Sequence, residues 1–199
     1  MKFALVKEHR DFFARHRYIE FDGILSDKED SELNQAITSL LIKKIQPKPF
    51  SDASPRDLYL AGRDLWREDP AIAKISLKKS LAEIAGELFK ESELRIAFDQ
   101  FQEETFSLSI EQMSSISPIL GAVAIPLGGQ AGRAIYFSAS APLNLHFFSR
   151  QLLIIAYSAN KSQYTLNEKD PNTHNLKKIG YAFGDLLKND THPLLLRAH

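Results

Sequence analysis

The sequence predicts an α+β fold, helical in its first half and β-rich in its second. Three observations carry this prediction. Apolar residues recur at helical spacing as far as about residue 90, the period falls to two from Leu94, and the strands that follow are short and closely spaced. Short strands in close succession suit a sandwich or barrel, not a parallel sheet built from βαβ units. With 199 residues, 44% of them hydrophobic, the chain has the size of one domain and can fill a core.

The elements follow in order. Phe12, Phe13 and His16 give an apolar, aromatic face to a helix over about 8–17. Ser26-Asp27-Lys28-Glu29 is a capping box, in which the serine and the glutamate satisfy amides that a helix start leaves free. It opens an amphipathic helix with Leu33, Ile37, Leu40 and Leu41 at i, i+4, i+7 and i+8, ended by Pro47 and Pro49. Ser54-Pro55 and Asp69-Pro70 each start a further helix with proline at the first helical position. Leu77, Leu81, Ile84, Ala85 and Leu88 form the core stripe of the last one.

Beyond it, Leu94, Ile96 and Phe98 alternate with Arg95, Ala97 and Asp99, and Phe106 to Ile110 alternates as a half-buried strand should. Ile119 to Ile125 is a continuous apolar run that Pro126 ends. Arg133 to Phe137 is a short strand, and Gln151 to Tyr157 is the strongest strand of all. The segment from Lys161 is polar to Asn175, then partly apolar through Tyr181, Phe183, Leu186 and Leu187, and is expected to fold back onto the domain. The organisation is a single domain over 1–199: a helical layer in 1–92, a β core in 93–158 and a packed extension in 159–199.

Composition excludes several classes. Twenty-five basic residues balance 25 acidic ones, which argues against nucleic acid as a partner because phosphate neutralisation supplies most of that affinity. Lys43, Lys44 and Lys48, and Lys74, Lys78 and Lys79, read as solvated helix faces. With no cysteine there is no disulfide, thiolate nucleophile or Cys-based metal site, and a reducing compartment fits. The apolar opening Met1–Val6 is broken at once by Lys7-Glu8-His9-Arg10 and is too short for a secretion signal. The longest apolar run, Leu152 to Tyr157, is far below the roughly 20 residues that cross a bilayer. No membrane association and a cytoplasmic location are therefore expected.

Motifs for chemistry are sparse. Gly128-Gly129-Gln130-Ala131-Gly132 leads into a strand, whereas a phosphate cradle needs a helix N-terminus after its glycines, so a tight turn is the better reading. There is no Gly-x-Ser-x-Gly elbow. His9-Arg10-Asp11 matches a His-x-Asp metal motif but lies in a helix, where residues two apart point roughly 200° away from each other. His146 precedes the strongest strand, and His9 and His16 share a helical face. The best constellation is Gly132-Arg133-Ala134-Ile135-Tyr136-Phe137, a turn, Asn144, and then Arg150 heading Leu152–Tyr157. An arginine at the head of a barrel strand can point into the mouth and grip a carboxylate bidentately, or it can pair with an acid at the surface.

That last pattern resembles the closing strands of phytanoyl-CoA dioxygenase-like proteins, within the Fe(II)/2-oxoglutarate oxygenases. Phe12 to Ser26 resembles the family's opening helix, first strand and capped second helix. Leu81 to Phe89 followed by Leu94 to Gln100 resembles its helix-to-strand passage. The resemblance spans about 8–158. It implies a double-stranded β-helix (a jelly-roll, cupin-like core) beneath the helical layer, and a site of two His and one carboxylate facing iron. Arg150 falls where the family binds its cosubstrate. The second His should then lie near Ser138–Ala141 and the His-x-Asp within Phe101–Ser117, and neither stretch contains a histidine.

The expectation is a protein with an oxygenase-like fold that has lost iron binding and catalysis. It would have no catalytic or metal residues and no cofactor, would keep Arg150 for a small carboxylate ligand, and would serve as a binding or regulatory module. Two alternatives stay open. One is an active Fe(II)/2-oxoglutarate-dependent dioxygenase with a displaced metal set using His146 or His174. The other is a divalent-metal-responsive transcriptional regulator using His9 and His16.

Overall fold

The computed structural model describes residues 4–104, 108–128, 132–141, 144 and 149–197. Five helices precede most of the sheet: α1 (Lys7–His16), α2 (Asp27–Ile45), α3 (Pro55–Ala61), α4 (Pro70–Ser76) and α5 (Lys79–Phe89). Their starts follow the local chemistry. At α2 the Glu29 amide donates to Ser26 Oγ at 3.3 Å, and Glu29 Oε2 accepts from the Ser26 amide at 3.0 Å. At α4 Asp69 Oδ1 accepts from the amides of Ala71 and Ile72 at 2.8 and 3.2 Å. Leu33, Ile37, Leu40 and Leu41 are buried, as the helical spacing predicts. Leu77 of the predicted stripe closes α4 and does not belong to α5.

The strands are β1 (Tyr18–Phe21), β2 (Leu94–Glu103), β3 (Ile116–Pro126), β4 (Ala134–Ser138) and β5 (Gln151–Tyr164). They form one antiparallel sheet in the order β1-β4-β3-β5-β2. The fold is thus α+β, as the change of period predicts. The jelly roll that the resemblance implies needs a second sheet, and the described residues form the one.

Both faces of this sheet are covered, so two cores share it. On one face Ile19, Val123, Tyr136, Ile155 and Tyr157 pack against the helices through Leu33, Ile72, Leu81 and Leu88. On the other face Phe98, Ala122, Ala124, Ile135, Phe137, Ile154 and Ala156 pack against Ile110, Met113, Leu176, Tyr181 and Leu187. Residues 94–102 are all buried, and a register shift between Ile96 and Phe98 breaks the simple alternation. The strand predicted over Phe106–Ile110 is corrected: Phe106 and Ser107 lie outside the described residues, and Leu108 to Ile110 form a loop whose Ile110 plugs the second core. β5 runs on through the polar residues Asn160–Gln163, because Ser117 and Ile116 pair with Gln163 and Tyr164.

The extension folds back, and it does structural work at the edge of β2. The Ile96 amide donates to Pro193 O at 3.3 Å, and the Leu195 amide donates to Leu94 O at 2.7 Å. Further along the same edge, the Asp64 amide donates to Asp99 O at 3.0 Å and the Phe101 amide to Gly62 O at 2.8 Å. Two irregular segments thereby satisfy backbone groups that a bare edge strand would offer to other chains. No described helix is long and apolar enough to cross a membrane.

Candidate functional site

Arg150 stands at the head of β5, next to the end of β2, where the Glu104 amide donates to its carbonyl at 2.8 Å. Its side chain is 89% exposed, and its Nε lies 3.6 Å from Glu104 Oε2. Ser138, at the start of the stretch the resemblance assigns to a second ligand, lies level with Gly121 and Tyr157. Seven residues of strand separate Tyr157 from Arg150, about 23 Å at the usual rise. The two positions are therefore far apart along the sheet. Between them the second face carries Phe137, Ala122, Ala156 and Phe98 in one row and Ile135, Ala124, Ile154 and Gln100 in the next.

The histidines are dispersed. His9 meets Phe21 edge-on, with ring centroids 5.2 Å apart, and His16 stacks on Phe12 at 4.3 Å. His174 faces Phe183, and His192 is fully buried. His146 and His199 lie outside the described residues. Among the described residues no three of His, Asp and Glu gather as a metal group. Residues 101–150 contain a single histidine, His146, so that stretch falls one imidazole short of a two-His, one-carboxylate set. Among the described residues no donor set fits ferrous iron. The lysines read as solvated helix faces mostly carry partners: Lys44 meets Glu68 at 2.6 Å, Lys48 meets Asp57 at 2.6 Å and Lys78 meets Glu29 at 2.8 Å.

Sequence reasoning missed a buried polar network that flanks β2 on both faces. Arg63 is buried over the Phe98 ring, 3.9 Å from its centroid. Its Nη2 donates to Met113 O at 2.5 Å and to Asp170 Oδ1 at 3.2 Å, while Ser115 Oγ donates to Asp170 Oδ2 at 2.8 Å. These contacts tie the 108–116 loop and the extension to the sheet. On the helical side Asp99 Oδ2 accepts from Ser76 Oγ at 2.7 Å and from the Trp66 amide at 3.0 Å. Burial, and then the neighbouring Asp64, push the Asp99 carboxyl up to about 7, and burial raises Asp64 as well.

His192 closes the network. Its Nε2 lies 3.2 Å from Arg67 Nη2, so that nitrogen accepts and the proton sits on Nδ1, toward Tyr181 and Thr191. Burial, then Arg67 and Arg95, lower its pKa to about 3. Arg95 holds the same segment through Asn189 and the His192 carbonyl, and its other nitrogen donates to Asn160 of β5. Chemically the network is a fastening, with no cleft large enough for a substrate: the hollow beside Arg63 and Asp170 measures about 20 Å³, one water's worth. The sequence signal for it was weak, since Asp99 and Ser76 are 23 residues apart and Arg63 and Asp170 are 107 apart.

Comparison of the whole fold with solved structures places this architecture. SnoK, a non-haem α-ketoglutarate-dependent carbocyclase from nogalamycin biosynthesis, superposes with a TM-score of 0.68 at 14% identity, covering 96% of each chain. The chain shares the fold of the Fe(II)/2-oxoglutarate-dependent oxygenases. SnoN, an epimerase of the same biosynthesis solved with Fe3+ and α-ketoglutarate, gives 0.67 at 14% identity over 95% of this chain and 98% of its own. CT296 from Chlamydia trachomatis gives 0.59 at 19% identity, over 80% of this chain and 99% of its own. No family profile and no curated protein matches the sequence.

Proposed function

We propose that this protein is a single-domain, phytanoyl-CoA dioxygenase-like relative of the Fe(II)/2-oxoglutarate oxygenases that has given up iron chemistry and acts in the cytoplasm as a binding or regulatory module. The observation that carries this reading is the donor set. The stretches matching the family's ligand positions hold no histidine, and the described residues gather no group of three metal donors. A lone carboxylate such as Glu104 or Glu111 competes poorly with water for Fe(II), which the fold family holds with two imidazoles as well. The second face of the sheet, filled with alanine, isoleucine and phenylalanine, reads as the inner wall of a double-stranded β-helix turned into packed core.

Arg150 is the family element that this reading retains. Its exposed guanidinium and long contact with Glu104 leave it able to exchange that partner for a small carboxylate ligand. The purified protein incubated with Fe(II), 2-oxoglutarate and ascorbate is expected to retain no stoichiometric iron on desalting and to form no succinate. One iron per chain, with succinate produced, would overturn the reading. Titration with 2-oxoglutarate in the absence of metal tests the retained element: weak binding is expected, and Arg150→Ala is expected to abolish it.

A further inference from the structure

Far along the sheet from Arg150, a groove of about 600 Å³ opens where α1 and α5 finish, over Ile119 and Leu120 of β3. That is the size of a small-ligand site. Its floor is apolar. β3 shifts register twice, between Ser117 and Ile119 and again between Ile119 and Gly121, and β4 pairs no further than Gly121. Ile119 and Leu120 are therefore left half-buried beside Phe89. The Phe89 ring lies on Gly121, where an added Cβ would stand 2.6 Å from Cζ.

The rim is charged. Arg10, Arg17 and Lys90 face Glu87 and Glu111, which leaves one positive charge in excess. Arg10 is held by Glu87 at 3.1 Å. Among the described ion pairs none involves Arg17 or Lys90. Ser138 and Ser140 add hydroxyls 3.4 Å apart.

Backbone geometry supplies a second, independent observation. Arg17 and Lys90 close α1 and α5 in the left-handed conformation, at φ 67° and 58°. Glycine is the usual residue there because a Cβ is strained in that conformation. Favourable interaction with the helix dipole does not account for Arg17, since Arg15 and His16 already occupy the last turn of α1 without strain. Two helices thus end on strained basic residues that line one groove, and strain of this kind collects at ligand sites.

We propose that the groove binds an amphipathic monoanion, a carboxylate head on a short aliphatic chain. Arg17 and Lys90 take the head, and Phe89, Ile119 and Leu120 take the chain. This site is independent of the reading for Arg150, which lies far along the sheet from it.

Calorimetric titration of the whole chain with octanoate tests it, with octanol and acetate as probes lacking the charge or the chain. Saturable octanoate binding is expected, roughly tenfold or more tighter than either control. The Arg17→Gly/Lys90→Gly pair is expected to weaken it by roughly tenfold or more, as the loss of two charge-assisted contacts implies, while melting no lower than the native protein. Arg150→Ala is expected to bind octanoate as the native chain does. The Asn pair at the same two positions, asparagine also tolerating this conformation, replaces the glycine pair should that fail to fold, with the same loss expected. Absence of saturable octanoate binding, or binding that survives removal of both cations, would overturn the proposal.

Discussion

Replacing Asp99 by asparagine should stabilise the protein progressively as the pH rises. Asp99 is fully buried between β2 and the Leu65–Ser76 segment, and its carboxyl is pushed up to about 7 from an ordinary 3.8. A carboxyl with a higher pKa in the folded state than in the unfolded chain binds its proton more tightly when folded. Its stabilising contribution is therefore full below 3.8 and is lost as the pH climbs to about 7. The gap of about 3 pKa units corresponds to about 4 kcal/mol. Asparagine keeps an oxygen for Ser76 Oγ and the Trp66 amide and has no charge to bury. His192 works in the opposite direction: its pKa is lowered to about 3, so its contribution is present above 6.5 and lost on acidification. Asp64, also raised by burial, titrates in the native chain as well, so the informative quantity is the difference between native and Asp99→Asn in urea denaturation at pH 4 to 8. The variant should gain about 4 kcal/mol on the native protein across that range. A difference that stays constant with pH would refute the assignment.

Two further outcomes test the packing. Arg63→Met strands the buried Asp170 carboxylate and should cost about 3–5 kcal/mol in chemical denaturation, with Arg63→Met/Asp170→Asn recovering part of the loss. Gly121→Ala drives a methyl into the Phe137 carbonyl of the paired strand and the Phe89 ring, and thermal melts should show about 1–3 kcal/mol of destabilisation.

How legible each part was follows from the range of its interactions. The helices were legible because their signals are local: the Ser26–Glu29 box and the Leu33–Leu41 spacing sit within a few turns of chain. Strands β2 to β5 were located, but the one expected over Phe106–Ile110 is a loop at Leu108–Ile110, and the burial of β2 was not foreseen. Leu94–Asp99 alternates, yet a helical layer and the folded-back extension bury both faces of the strand. Asp99 figured in the sequence only as one of the alternating residues of that stretch. Nothing near it in sequence announces Ser76 or Trp66 as partners, and Arg63 and Asp170 are 107 residues apart in the chain. The groove was invisible for a related reason. That Arg17 and Lys90 end helices can be read from the sequence, but that both ends open on one hollow depends on where α1 and α5 dock.

The way β2 is sealed has a mechanical corollary. Its outer rim is stitched by residues 62–64 and 193–195, contributed by opposite halves of the chain, and the second stitch is anchored by Arg95 and His192. A load applied at the carboxyl end would shear that stitch before any ladder of the sheet proper, unzipping the rim while the remaining strands stay paired. A carboxyl-terminal handle pulled against one fixed within the sheet should therefore show this rupture as its first event.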